Sequence, residues 1–176
     1  MIISIDGLPG TGKTTLGMRL SRRYDVPFLQ ELCLPSLNRS DYDEGAFVKN
    51  DMHKIRRARN LGRAILDRSF CSTVAFKMAA TQRIDEASFH EIQRAFYASE
   101  RVAPDLVVMI MSPPDVSSIG LEKRGDAGLF AQAFLQAWWH GFRRAARALE
   151  LSGVPVRCVP YSKTPFYRSV VRGSKK

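Results

Sequence analysis

The chain has 176 residues, with 27 Lys and Arg against 17 Asp and Glu and a formal net charge of +10. Its length suits one hydrophobic core, and its 45% hydrophobic content separates it from disordered, charge-dominated chains. No apolar run reaches the ~20 residues that a bilayer span needs, and Cys33, Cys71 and Cys158 form no C-x-x-C pair, against both a zinc ribbon and a disulfide framework. His53, His90 and His140 are as scattered and offer no metal-ligand spacing. The apolar opening MIISI runs into Asp6 and a glycine loop where a signal peptide would have its cleavage region, so a cytoplasmic location is expected.

In chain order, residues 2–5 are a short run rich in β-branched residues that ends at a glycine loop. Residues 14–24 then take helical spacing through Leu16 and Leu20. A second strand is predicted over 27–32, turn chemistry over 38–44, a helix over 45–60, and a third strand over 64–66 with Asp67 at its end. Ser88 and Glu91 read as a capping box opening a helix that stops near Val102, before Pro104. The uniformly apolar LVVMIM at 106–111 predicts a central parallel strand covered on both faces. Phe130, Phe134, Trp138 and Phe142 recur every fourth residue, with Leu149 beyond, so a long helix docks its aromatic stripe on the sheet. Residues 154–159 give the last strand.

Strands alternating with helices imply right-handed crossovers and a parallel sheet, here a three-layer α/β/α fold with five central strands. Ligands of such sheets sit beyond the carboxyl ends of the strands, where Asp6, Glu31, Asp67, Ser112 and Tyr161 are expected to share one rim.

Three segments at that rim carry chemistry. Residues 7–14, GLPGTGKT, match G-x-x-x-x-G-K-[ST] between a strand and a helix. Glycines at 7, 10 and 12 let successive amides turn inward, the helix dipole adds positive potential, Lys13 supplies a full charge to phosphates, and the Thr14 hydroxyl suits Mg2+. The cofactor-binding set is therefore Gly7, Gly10, Thr11, Gly12, Lys13, Thr14 and Thr15, the cofactor ATP with Mg2+. The second segment is Asp67-Arg68-Ser69: an acid there can orient magnesium-bound water or the acceptor, and an arginine fork can hold a phosphate bidentately. The third is LEKRGD at 121–126, a polar segment in which Lys123 or Arg124 can close over a transferring phosphoryl group and exclude water.

Through GLPGTGKTT, LGRAILDRSF, APDLVVMIMSPPD and LEKRGD, residues 1–165 resemble the thymidylate kinase and deoxynucleoside kinase group of P-loop kinases. The resemblance implies phosphoryl transfer from ATP to a nucleoside or nucleoside monophosphate. In that reading Lys13 and Thr14 bind ATP and magnesium, Asp67 stands by the metal, and Arg68 contacts the acceptor or its phosphate. Arg124 becomes the arginine of a lid near 117–128, and the loop at 161–165 with Lys163 covers adenine. Two departures separate the chain from thymidylate kinases: Pro9 stands where they carry a carboxylate, and LQELCLP replaces their Arg-Glu-Pro-like segment. Deoxynucleoside kinases use a glutamate after the second strand as general base, which maps to Glu31, and a hydroxyl acceptor needs such a base.

A kinase of another small metabolite shares the same loop, and the +10 charge admits a nucleotide-dependent nucleic-acid-binding protein as a less favoured alternative. The densest basic stretches are KIRRARNLGR at 54–63, read as a solvated helix face, and RGSKK in the basic segment at 166–176, read as a tail. A homodimer is compatible with all these readings.

Overall fold

A computed structural model of the chain describes residues 1–34, 44–98 and 101–161. The elements run β1 (Ile2–Gly7), α1 (Lys13–Tyr24), β2 (Phe28–Leu29), α2 (Glu44–Asn60), β3 (Ala64–Asp67), α3 (Phe70–Ala80), α4 (Glu86–Tyr97), β4 (Leu106–Met111), α5 (Pro114–Glu122), α6 (Gln132–Leu151) and β5 (Val156–Pro160). The five strands form one parallel sheet in the order β2-β3-β1-β4-β5. The expected three-layer α/β/α architecture is present.

Strand alternation sorts the side chains into two cores. Ile2, Ala64, Leu66, Val107 and Met109 face α2, α3, α4 and α6, whereas Ile5, Ile65 and Ile110 pack with Leu16 and Leu20 of α1. The aromatic stripe behaves as expected: Trp138, Phe142 and Leu149 are buried, and Phe130 and Phe134 stack on each other at the stripe's outer end. Tyr161, expected on the rim, is buried in the α1-side core.

Four details differ from the sequence reading. Only Phe28 and Leu29 of the second strand pair with β3, because the edge position gives β2 a single neighbour. Residues 70–80, unassigned from sequence, form α3, whose apolar residues carry no clear helical stripe because it is buried almost all round. The segment after β4 begins with α5, which Pro113 and Pro114 start by fixing the first turn. Finally, α4 is capped by Asp85: its Oδ1 accepts from the Ser88 amide at 2.7 Å, while Glu91 pairs with Arg83. An equally good cap three residues earlier starts the helix earlier than the Ser88 box would. It ends at Tyr97, short of Val102.

Among the described residues no helix is long and apolar enough to cross a membrane.

Candidate active site

The loop between β1 and α1 is shaped by two close approaches. Gly7 has φ +138°, and a Cβ there would stand 2.6 Å from the Ile110 carbonyl. Gly10 has φ +72° and lies against Gly120 of α5, where an added Cβ would meet backbone at 2.8 Å. The Ser117 hydroxyl donates to the Pro9 carbonyl at 2.6 Å, so α5 buttresses the loop from outside. Gly12 precedes the first turn of α1.

Lys13 is buried and folds back onto the loop, its Nζ donating to the Leu8 carbonyl at 2.6 Å. The Thr11 hydroxyl donates to the same oxygen at 2.8 Å. Burial, with the Arg68 charge second, pulls the Lys13 ammonium down from 10.5 to about 7, against opposition from Asp67, Glu31 and Asp6. A buried cation beside a glycine loop at a helix N-terminus is a site that an anion such as phosphate relieves. Thr14 and Thr15 stand exposed at the mouth.

The Thr14 hydroxyl donates to Asp67 Oδ2 at 2.5 Å, while Asp67 Oδ1 is buried with no partner among the described residues. A hydroxyl beside a carboxylate with an uncommitted oxygen fits a hard, oxygen-seeking cation such as Mg2+.

Arg68 joins this loop to the second strand. Its φ of 64° is unusual for a residue with a Cβ and costs about 1–2 kcal/mol. The surroundings hold it there: the Arg68 amide donates to Ile5 O at 3.0 Å, and the next residue is tied to buried Asp6 through its amide and hydroxyl, both at 2.9 Å. The guanidinium donates from Nη1 to the Gly7 carbonyl at 3.0 Å, pairs through Nε with Glu31 Oε1 at 2.7 Å, and lies 5.3 Å over the Trp138 ring. Glu31 stays about half exposed. One arginine therefore touches the phosphate loop on one side and an accessible carboxylate on the other.

Behind these groups α2 presents Asn50, Asp51 and Lys54, all buried. Burial pushes the Asp51 carboxyl up, opposed by Lys54 and by hydrogen bonds from Thr73 and Tyr97. Sequence reasoning missed this face: Lys54 begins the basic run assigned to solvent, yet only Arg56, Arg57, Arg59 and their exposed neighbours meet water. A lysine one turn after Asn50, flanked by the apolar Ile55 and Ala58, was the available signal. Asp6 is also corrected, from a rim acid to the anchor of the α3 N-terminus, accepting from Ser69 and Ser72.

Lys123 and Arg124, expected to serve as a lid, follow α5. Arg124 pairs with Asp126 at 3.0 Å, both partly exposed. Lys163 and the loop expected to cover adenine, beyond Tyr161, lie outside the described residues, as does the basic segment at 166–176.

The parallel sheet, the glycine loop between β1 and α1 and the Lys13-Thr14 pair define a three-layer α/β/α P-loop fold. Deoxyadenosine kinase from M. mycoides with bound dATP has a similar structure, with a TM-score of 0.73 at 14% identity over 99% of this chain and 98% of that one. The same enzyme with dCMP and a flexible dCDP bound gives a TM-score of 0.70 at 13% identity, and with bound dCTP 0.65 at 14%, with the same coverage of both chains. No protein-family model matches the sequence, and no curated protein does.

Proposed function

We propose that the chain is an ATP-dependent, magnesium-requiring kinase that phosphorylates a nucleoside or nucleoside monophosphate. The observation that carries this reading is the 2.7 Å Glu31–Arg68 pair, joined to the phosphate loop through the Gly7 carbonyl. A loop for ATP then lies one arginine away from a carboxylate able to take a proton. The structural likeness to a deoxyadenosine kinase supports the same reading.

In this reading the amides of residues 7–15 and the Lys13 ammonium grip the β- and γ-phosphates, with Lys13 leaving the Leu8 carbonyl to do so. Thr14 and Asp67 hold the magnesium, which when bound neutralises charge on the phosphate oxygens. Glu31 accepts the proton of an attacking hydroxyl, and Arg68 orients Glu31 and the incoming group. Arg124, released from Asp126, closes the lid over the phosphates, and Lys163 belongs to the adenine end. Residues 1–165 form the kinase domain; a cytoplasmic location and a homodimer belong to the same proposal. Glu31 favours a hydroxyl acceptor over an already ionised phosphate.

Purified protein incubated with ATP, magnesium and a panel of nucleosides and monophosphates is expected to release ADP only when an acceptor is present. Lys13→Ala should abolish transfer while the protein still folds and melts cooperatively without ligand, since the side chain serves a loop and not the hydrophobic core. ATP consumption indifferent to every acceptor would defeat the proposal.

A further inference from the structure

We propose that Lys54 is a positioning residue of this site, holding the carbonyls of Glu31 and Asp67 on one ammonium and so fixing the base against the phosphate loop. The inference rests on the kinase reading above. Lys54 is only 1% exposed, in the middle of α2. Its Nζ donates to Asp67 O at 3.0 Å and to Glu31 O at 3.2 Å, and stands 3.8 Å from Asp51 Oδ1. Lysine is almost never fully buried unless paired, and here two carbonyls accept hydrogen bonds from the ammonium while the Asp51 carboxylate balances its charge.

The need for such a bridge follows from the sheet. The ladder between β2 and β3 ends at Leu29↔Leu66, so Glu31 lies two residues beyond the last strand pairing that could set its height. The α2 face replaces the ladder. Asn50 Nδ2 donates to Glu31 O at 2.7 Å, and its Oδ1 accepts from the amides of Cys33 and Leu34 at 2.8 and 3.1 Å. Asn50 holds the β2 side alone, whereas Lys54, one turn on, reaches both strand ends.

The second bond acts on Arg68. The Asp67 carbonyl and the Arg68 amide belong to one peptide unit, whose C=O is held by Lys54 and whose N–H is held by Ile5 O. With this peptide plane held at both ends and the next amide tied to Asp6, Arg68 is held at the left-handed φ from which its side chain reaches Glu31 and Gly7. One buried amine thus sets both members of the Glu31–Arg68 pair, and it reaches the phosphate loop only through Asp67 and Arg68.

The test separates positioning from stability. Lys54→Met alone leaves the Asp51 carboxylate buried and uncompensated, which destabilises the fold by a route unrelated to the bridge. Lys54→Met with Asp51→Asn removes that charge while keeping an acceptor for Thr73 and Tyr97. The double variant is expected to melt cooperatively, to keep its KM for ATP within about threefold, and to lose about 100-fold in kcat, the scale of a 1 Å misplacement. A kcat within about threefold of the parent overturns the inference, as does a loss expressed in the KM for ATP alone. A double variant that cannot fold makes Lys54 a core residue and overturns it equally. If the unmodified protein transfers phosphate to no acceptor, the kinase reading itself falls, and the Lys54 role with it.

Discussion

In the proposed function the chemistry turns on Glu31 and Arg68, whose pairing joins an accessible carboxylate to a buried guanidinium beside the glycine loop. Glu31→Gln keeps the size and one acceptor but cannot take a proton, so phosphorylation of a hydroxyl is expected to fall by about 10²- to 10⁴-fold. A monophosphate acceptor, already ionised, should lose far less. Steady-state rates on a nucleoside and its monophosphate measure the contrast, and equal losses on both would reduce Glu31 to an anchor for Arg68. Of this pair only Arg68 was legible from local chemistry, in the acid-arginine dipeptide Asp67-Arg68 after an apolar strand; Glu31 came from the family resemblance, and its contact with Arg68 from the fold. The Lys54 bridge was not, since its run of basic neighbours looks like solvated charge until α2 is docked.

Helix ends show how neighbouring signals compete. Asp85 caps α4, and the Ser88 amide holds its carboxyl below the usual carboxylate range. Because the folded state lowers this pKa, the cap stabilises fully above the unfolded pKa and fades as pH falls through the lowered one. Asp85→Ala is therefore expected to lower the melting temperature at neutral pH, with the difference shrinking in acid; thermal scans at both conditions check it, and a loss independent of pH would assign the effect to something other than the charge. The contact between α5 and the phosphate loop yields a second expectation. A Cβ on Gly120 would sit 2.1 Å from the Gly10 carbonyl, so Gly120→Ala must displace either the helix or the loop. The Kd for an ATP analogue should rise by about tenfold or more, which calorimetric titration would read directly; unchanged affinity would show that α5 yields instead of the loop.

Over the whole molecule, the surplus of ten positive charges attracts any polyanion, and exposed arginines recur on α1, α2 and α6. For a kinase of small anionic substrates the expected consequence is kinetic: association of ATP should slow as ionic strength rises, through screening. A single-stranded oligonucleotide should bind weakly at moderate salt and leave turnover unaffected. Tight oligonucleotide binding that resists moderate salt would favour the nucleic-acid alternative.

By itself the sequence determined the alternation of strands and helices, the glycine loop with Lys13 and Thr14, the Asp67-Arg68-Ser69 triplet and the buried aromatic stripe. Each of these is written within a few consecutive residues, where propensity, periodicity and backbone freedom act directly. Tertiary structure alone decided the docking of α5 on Pro9 and Gly10, the conversion of Asp6 into an anchor for α3, the burial of Lys54, and the 2.7 Å approach of Glu31 to Arg68. Those depend on groups 37 to more than 100 positions apart, or on which face a helix turns inward, and only a closed sheet with its packed helices brings them to hydrogen-bonding distance.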